Sequence, residues 1–345
     1  MYQRYIQPAN NILNKKPISI TEKTISISGD IHNFESISTY FWPNPEDPQG
    51  PYICKDGIVN PETKLYDEIR LSEFCKRLKF LSIAYYLTRD ECYYNSFIKQ
   101  IKVWYLNKDT KMNPNFEYAQ IIPRINNNHG QPHGIISAYV MNDAIEAIRL
   151  INSVKTIEKN TLKEIVLWFH QFLNWLNNSN MAQKEALQNN NHGIAIDVLK
   201  LNIALFVNDY KTANKITTSF YSTRLKKQID YQGRQISELK RTKAFMYSIY
   251  NLMHIIDFCY IQESIGNFYY RTNHEIIDQA VIFLNQYIGN RQKFPYQEID
   301  NWDRLETWLK DEIARIQKLE QPQKEKTLNI KYKYDFYKSA NGLIR

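Results

Sequence analysis

Helical periodicity is the feature that most constrains the fold of this 345-residue chain. From residue 71 onward, apolar side chains recur three and four positions apart, which is the spacing of one face of a helix. This spacing predicts nine helices, at residues 71–88, 93–104, 135–151, 161–176, 194–207, 210–226, 241–265, 273–288 and 301–318. No stretch alternates apolar and polar residues in the manner of a half-buried strand. The chain is therefore expected to be all-α.

The organisation predicted from the pattern is one domain, 1–345, in three parts. Residues 1–70 are expected to be an irregular segment and lid, because the proline-rich stretch 40–52 enforces an extended path and is too polar for a strand pair. Residues 71–318 form the helical body, in which Thr161 and Glu164 have the spacing of a capping box. Residues 319–345 form a charged tail. Helix hairpins stacked in series can close into a toroid, although the periodicity alone gives only the all-α class.

The composition favours an anionic partner. The formal net charge is +8 and aromatic residues make up 14% of the chain, which suits a groove that holds a charged sugar. No nucleic-acid-binding motif is visible, and no apolar run reaches the roughly 18 residues of a membrane span, so neither nucleic acid nor membrane insertion is expected. Residues 1–8 lack the apolar core of a signal peptide, so the location is cytoplasmic, or periplasmic or secreted if a signal was trimmed. Nothing specifies an oligomeric state.

The sequence gives little support for a metal site or for disulfide bonds. The four cysteines, at 54, 75, 92 and 259, include no CxxC pair, so free buried thiols are expected and one disulfide stays open. His129 and His133 are four residues apart, but Gly130 and Pro132 between them argue against the helix that a metal pair needs. No metal or cofactor is therefore predicted.

Two polar clusters interrupt the helical pattern with residues that fit acid–base chemistry. Asn191 and His192 precede an apolar helix, whose positive end favours the neutral imidazole that a general base requires. Arg241 and Tyr247 lie six residues apart on one predicted helix, within about 120° of each other around its axis. Taken singly, these residues are better interpreted as a helix cap, a surface histidine, a solvated arginine and a packed tyrosine.

Together, the four residues fit β-elimination from a uronate. The C5 proton of a uronic acid becomes removable when Asn191 and Arg241 neutralise the adjacent carboxylate, which stabilises the enediolate that forms. His192 or Tyr247 then takes the C5 proton, and Tyr247 protonates the departing O4. Hydrolysis by a pair of carboxylates is the competing chemistry, with Asp197, Asp230 and Glu238 as its candidates.

Five motifs in chain order resemble those of the alginate lyase family of bacterial polyuronate lyases, over residues 17–310. They are Tyr40-Phe-Trp-Pro-Asn-Pro with Asp56-Gly and Asn60-Pro-Glu, Asn113-Pro-Asn-Phe-Glu-Tyr-Ala-Gln, Asn190-Asn-His-Gly, Glu238-Leu-Lys-Arg-Thr with Tyr247-Ser, and Phe294-Pro-Tyr-Gln. The resemblance implies an incomplete (α/α) toroid in which Asn191 and Arg241 neutralise the carboxylate, His192 is the base and Tyr247 the acid.

The resemblance also implies sugar-binding residues, and it leaves the sugar open. Tyr40, Trp42, Arg70 and His133 would line the sugar subsites, and Tyr250 is expected to join them. His133 occupies a position where relatives carry arginine or glycine. Alginate is the first expectation. A glucuronan or glycosaminoglycan lyase and a toroidal carbohydrate-binding protein without catalysis are the alternatives.

Overall fold

Helices dominate the structure, a computed structural model in which residues 3–321 are described. The predicted all-α class is confirmed. The described residues divide into two compact units, unit 1 with residues 3–185 and 202–209, and unit 2 with residues 186–201 and 210–321. Residues 322–345 of the predicted tail lie outside the described residues.

Unit 1 is built around one long helix. Its helices are α1 (Gln3–Leu13), α2 (Asp67–Thr88), α3 (Glu91–Ile101), α4 (Met141–Val154), α5 (Lys159–Asn178) and α6 (Asn180–Ala186, of which only Ala186 belongs to unit 2). Its strands are β1 (Glu35–Ile37), β2 (Phe41–Trp42), β3 (Ile53–Cys54) and β4 (Tyr118–Ile121). Helix α2 packs against α1, α3 and α4. The Phe74 ring of α2 stacks at 4.3 Å on Trp104, which lies in the π-helical turn Lys102–Leu106.

The N-terminal 70 residues are more regular than predicted. Helix α1 forms despite Pro8 in its interior, because Tyr5, Ala9 and Ile12 recur at helical spacing and are buried. The proline-rich stretch also contradicts the expectation of no strand pair, because β2 and β3 pair antiparallel across it. A second short sheet pairs β1 with β4 in parallel. Strands of two to four residues are too short to produce a visible alternation.

Unit 2 surrounds a buried central helix. It contains residues 191–201 of α7 (Asn191–Phe206), followed by α8 (Tyr210–Phe220), α9 (Lys226–Gln228), α10 (Ala244–Ser264), α11 (Tyr269–Asn285) and α12 (Trp302–Glu320). Helix α10 packs against α11 and α12, and 18 of its 21 residues are buried. A helix that is apolar on nearly all sides is typical of an enclosed position.

Most helices start within a few residues of the predicted positions, and two of these differences change the interpretation of a motif. Helix α5 begins at Lys159, and its cap is Glu158, whose carboxylate accepts from the backbone N–H groups of Asn160 and Thr161. The predicted capping box at Thr161 is therefore wrong. Helix α10 begins at Ala244, so Arg241 lies before this helix and does not share it with Tyr247. The 3₁₀ turn Glu238–Lys240 ends at Arg241, whose extended backbone breaks the helical path.

The structure also tests the expectations for the cysteines and for a membrane-spanning helix. None of the four cysteines is in a disulfide; Cys75 and Cys259 are buried as predicted, whereas Cys54 and Cys92 are exposed. Among residues 3–321, no helix is both long and apolar enough to cross a membrane.

Candidate active site

The start of helix α7 carries two of the predicted catalytic residues. Asn190 caps the helix, because its Oδ1 accepts the backbone N–H of His192 at 3.0 Å. Asn191 and His192 therefore occupy the first turn, where backbone N–H groups point out of the helix. His192 is half-buried, whereas Asn191 has no exposed surface.

Arg224 fixes the chain that enters α7. Its guanidinium donates to the carbonyl oxygens of Ala186 and Gln188, at 2.7 and 3.0 Å, and to Asp197 Oδ2 at 2.7 Å. Gly193 lies against this arrangement, and a Cβ there would come within 2.0 Å of the Gln188 oxygen and 2.6 Å of Arg224 Nη1. The glycine of the Asn-Asn-His-Gly motif is thus required by a close approach of the backbone.

Glu238 holds Asn191 through both carboxylate oxygens. Oε1 accepts the Asn191 backbone N–H at 2.6 Å, and Oε2 accepts its side-chain Nδ2 at 2.8 Å. Both residues are buried. Oδ1 of Asn191 has no hydrogen-bond partner among the described residues.

Arg241 and Tyr247 form the second half of the site. Arg241 Nη2 donates to the Tyr247 hydroxyl oxygen at 3.0 Å, and the guanidinium carbon lies 4.0 Å from the centre of the Tyr247 ring. Tyr247 is in the first turn of α10 and is 7% exposed. The guanidinium therefore covers the ring and also hydrogen-bonds its hydroxyl.

Glu238 connects the two halves electrostatically. Burial raises the pKa of its carboxyl group, while the two hydrogen bonds from Asn191, the Arg241 charge and the charge that His192 carries when protonated act to lower it. The structure thus brings together all four predicted catalytic residues around Glu238, with Tyr247 linked through Arg241.

A buried network of side-chain amides joins the segments that carry these residues. Asn251, one turn after Tyr247 on α10, donates to Gln228 Oε1 at 3.1 Å and to Gln235 Oε1 at 2.7 Å. Gln228 in turn donates to the Asn190 carbonyl oxygen at 3.0 Å, and Gln235 to that of Ser248 at 2.9 Å. Oδ1 of Asn251, like that of Asn191, has no hydrogen-bond partner within residues 3–321.

The start of α10 is held by the late Phe-Pro-Tyr-Gln motif and by Glu298, which follows it. The Ala244 N–H donates to the Gln297 carbonyl oxygen at 3.0 Å, and the Met246 N–H to Glu298 Oε2 at 2.9 Å. The Phe245 and Phe294 rings meet edge-on at 5.3 Å. These bonds fix the turn from which Tyr247 projects.

Further along α10, Tyr250 and His254 pack against each other. Their ring centres are 4.2 Å apart, and His254 is fully buried. Burial holds the pKa of His254 well below its usual value, and a proton on the nearby His192 acts in the same direction. His254 is therefore a neutral neighbour of His192. The predicted sugar contact of Tyr250 stays a prediction.

The remaining predicted sugar-binding residues lie in unit 1, and their roles stay predictions. Tyr40 is half-buried, and its carbonyl oxygen accepts the Lys55 N–H at 2.7 Å. Trp42, on β2, donates its indole N–H to the Ile58 carbonyl oxygen at 2.9 Å, with the Lys55 ammonium 5.1 Å from its ring centre.

The side chains of Arg70 and His133 both make hydrogen bonds within the protein. The Arg70 guanidinium donates to Asp67 Oδ1 at 3.1 Å and to the Glu22 carbonyl oxygen at 2.9 Å. His133 Nε2 lies 3.1 Å from Ser38 Oγ, which donates to the Gln120 carbonyl oxygen. These bonds give both residues a structural function in unit 1.

The acids considered for hydrolysis also have structural partners. Arg224 pairs with Asp197, Arg234 pairs with Asp230 at 2.7 Å, and Asn191 occupies both oxygens of Glu238. Within residues 3–321 no group of three or more His, Cys, Asp or Glu side chains could hold a metal ion.

Several residues that build the site were not predicted from the sequence. Glu238 was considered only as a hydrolytic acid, although its place in the Glu-Leu-x-Arg motif was a usable signal. Asn190 was not predicted as the cap of α7, although its place in the Asn-Asn-His-Gly motif was also a usable signal. Arg224 and Asn251 gave none, since a lone arginine and a lone asparagine within helical patterns are common.

Comparisons with known proteins agree with the five motifs. The alginate lyase family model matches residues 19–294. A solved alginate lyase from Bacteroides ovatus is 32% identical, with 97% of this chain and 89% of that chain covered and a TM-score of 0.86. No curated protein sequence matches.

Two more distant structures share the fold. Alginate lyase A1-III from Sphingomonas species A1 is 11% identical, with 87% of this chain and 81% of that chain covered and a TM-score of 0.51. A variant of alginate lyase A1-III complexed with a tetrasaccharide is 12% identical, with coverages of 91% and 88% and a TM-score of 0.56. Because the family model spans most of the sequence and the Bacteroides structure matches nearly all of it, the chain belongs to the alginate lyase family.

Proposed function

We propose that this protein cleaves alginate by β-elimination, with Asn191, His192, Arg241 and Tyr247 as its catalytic residues. Its membership of the family makes it a polysaccharide lyase. The assignment of these residues rests on the hydrogen bond between Arg241 and Tyr247. Glu238 links this pair to the start of α7, because it interacts electrostatically with Arg241 and accepts hydrogen bonds from Asn191.

The elimination uses each group once. Asn191 and Arg241 neutralise the uronate carboxylate, which makes the C5 proton removable. His192 takes that proton, and the C–H electron pair forms the C4–C5 double bond as the C4–O4 bond breaks. Tyr247 gives its proton to the departing O4.

The Arg241–Tyr247 geometry suits Tyr247 for the acid step. After Tyr247 gives up its proton, a phenolate remains, with the Arg241 cation 3.0 Å from its oxygen and close above its ring. Opposite charges at this distance in a buried site attract strongly, which stabilises the phenolate as the bond to O4 breaks.

Asn191 imposes a condition on substrate binding. It has no exposed surface, so a uronate carboxylate reaches its amide only if the side chains that cover it move aside. A donor in such a buried site is effective once the carboxylate arrives, because little water competes with it.

A panel of polysaccharides tests the function. We expect alginate to yield products that absorb in the near ultraviolet through the new C4–C5 double bond conjugated with the carboxylate. Absorbing products from glucuronan or a glycosaminoglycan alone would reassign the substrate. Sugar binding without any cleavage would support a carbohydrate-binding protein, and saturated products would indicate hydrolysis.

We also propose that the protein acts in the periplasm or outside the cell, because a long anionic polysaccharide does not cross an apolar bilayer unaided. Fractionation of the native cells tests this, and enzyme confined to the cytoplasmic fraction would contradict it.

A further inference from the structure

We propose that Glu238 is a positioning residue that determines which end of the Asn191 amide meets the uronate carboxylate. The inference rests on the proposed function, since it concerns the same elimination. It assigns a task to a buried acid that does not itself take part in the proton transfers.

The hydrogen bonds of Glu238 leave Asn191 one orientation. An ionised carboxylate can only accept hydrogen bonds, and both of its oxygens receive N–H groups of Asn191, at 2.6 and 2.8 Å. The side-chain nitrogen must therefore face Glu238, and the amide oxygen must point away. Nδ2 carries two hydrogens, so one remains for a substrate carboxylate.

The opposite orientation would harm catalysis. If the amide turned over, Oδ1 would take the place of the nitrogen, and an acceptor would meet the negative carboxylate. The repulsion would grow along the reaction, because the enediolate carries more negative charge on these oxygens than the ground-state carboxylate. An amide held in the wrong orientation should therefore lower kcat more than it raises KM.

Two substitutions separate this role from simple packing. Glu238→Gln keeps the size of the side chain, but its Oε1 can satisfy only the Asn191 backbone N–H. Its NH2 group then faces the Asn191 side chain and draws Oδ1 towards itself, which forces the wrong orientation. Glu238→Asp is shorter by one methylene but still offers only acceptors, so the amide nitrogen stays in place.

We expect Glu238→Gln to lower kcat on alginate by about 100- to 1,000-fold, the range for loss of one preorganised donor, with KM changed by less than about threefold. Glu238→Asp should stay at least about tenfold more active than Glu238→Gln. If Glu238 only fills space, the isosteric glutamine must be the better substitute. A glutamine variant as active as the aspartate variant, or more so, overturns the proposal.

A matched control uses another buried acid of unit 2. Glu312 accepts from Trp308 Nε1 at 3.1 Å and from Arg315 Nη1 at 2.7 Å. Glu312→Gln should lower the melting temperature and leave kcat within about twofold of wild type, because its effect is confined to stability. Thermal unfolding must show that each variant is folded at the assay temperature.

A crystal structure covers the case in which the Glu238 variants do not fold. In the His192→Ala variant soaked with an alginate tetrasaccharide, Asn191 Nδ2 should bond both Glu238 and the uronate carboxylate. A carboxylate out of reach of Nδ2 refutes the inference. If wild-type enzyme cleaves no glycan of the panel, the proposed function itself fails. Active wild-type enzyme with the opposite ranking of the two variants rejects only the role of Glu238.

Discussion

Two tyrosines of α10 each have an arginine guanidinium close to the ring, but their hydroxyl groups make different hydrogen bonds. Tyr247 accepts a hydrogen bond from Arg241, whose guanidinium carbon lies 4.0 Å from its ring centre. Tyr260 donates to the Arg315 carbonyl oxygen at 2.9 Å, and the Arg315 guanidinium carbon lies 4.9 Å from its ring centre. Only Tyr247 has the Asn191–His192 helix start connected to its arginine, through Glu238.

The pair allows a controlled test of the acid. Tyr247→Phe should lower kcat on alginate by about two to four orders of magnitude, because the departing O4 loses its proton donor. Tyr260→Phe, which removes a buried hydroxyl from the same helix, should cost about 1 kcal/mol of stability and leave kcat unchanged. Initial rates and thermal unfolding of both variants measure these two effects. Equal rates for Tyr247→Phe and wild type would remove Tyr247 from the mechanism.

The proposed catalytic residues were easier to predict from the sequence than the residues that support them. Short motifs reveal Asn191 with His192 and Arg241 with Tyr247, because the two residues of each pair lie at most six positions apart along the chain. The bond between Glu238 and Asn191 joins residues 47 positions apart, and no local pattern encodes such a contact. The position of Arg241 outside α10 was missed because Arg, Thr and Lys are all compatible with a helix.

At the scale of elements, α10 and α12 are joined by a buried ion cluster. Arg315 donates to Asp257 Oδ1 at 2.5 Å and to Glu312 Oε2 at 2.7 Å, and the three side chains are at most 4% exposed. Burial raises the pKa of Glu312, while the Arg315 charge opposes this shift. The cluster ties the central helix of unit 2 to the last described one.

Removing the Arg315 cation should therefore lower the free energy of unfolding substantially. Arg315→Met leaves two buried acids without the cation between them, and we expect the free energy of unfolding to fall by about 3–5 kcal/mol. Lys310→Met on the same helix removes an exposed pair with Glu306 and should cost less than about 1 kcal/mol. Urea unfolding measures both. Similar losses for the two variants would contradict the buried-cluster interpretation.

The first turn of α2 contains an acid that titrates near neutrality. Burial, followed by repulsion from Asp67, raises the pKa of Glu68 from 4.5 to about 7. A raised pKa means that the folded state is favoured while this group is protonated. Its contribution is fully present below pH 4.5 and is lost as the pH rises through about 7.

Glu68→Gln should therefore make the protein more stable at pH 8, by up to about 3 kcal/mol, and leave stability at pH 4 unchanged. Urea unfolding at the two pH values measures this. An equal effect at both would show that ionisation of Glu68 is not responsible.

The fold was predictable where apolar periodicity is long. Helix α10 was recognised because Phe, Met, Ile, Leu and Tyr fill most of its turns. Helix α1 was missed because Pro8 and polar neighbours hide a stripe of three buried residues. The β2–β3 pair was missed because two residues per strand give no alternation, and its stability depends on contacts made elsewhere in unit 1.

At the scale of the whole molecule, the net charge of +8 should act on a polyanionic substrate. We expect KM for polymeric alginate to rise about tenfold between low salt and about 0.5 M NaCl, because ions screen the attraction. An alginate trisaccharide, with three charges, should show a smaller rise. Initial rates at a series of salt concentrations measure both, and equal changes for the two substrates would exclude attraction by the net charge.

The prediction of one domain over residues 1–345 stays a prediction. Calorimetry bears on it, because a single domain should unfold in one cooperative transition whereas independent units give two.

The two buried amide oxygens of Asn191 and Asn251 carry an evolutionary consequence. A buried acceptor without a partner costs about 1–3 kcal/mol of stability. The enzyme therefore keeps two destabilising amide oxygens in residues that carry or support its proposed catalytic groups. Laboratory evolution that rewards heat resistance alone should nevertheless keep both asparagines. An apolar residue at either position would leave buried Glu238, or Gln228 and Gln235, without the amide donor that each accepts from, which costs at least as much stability as it restores.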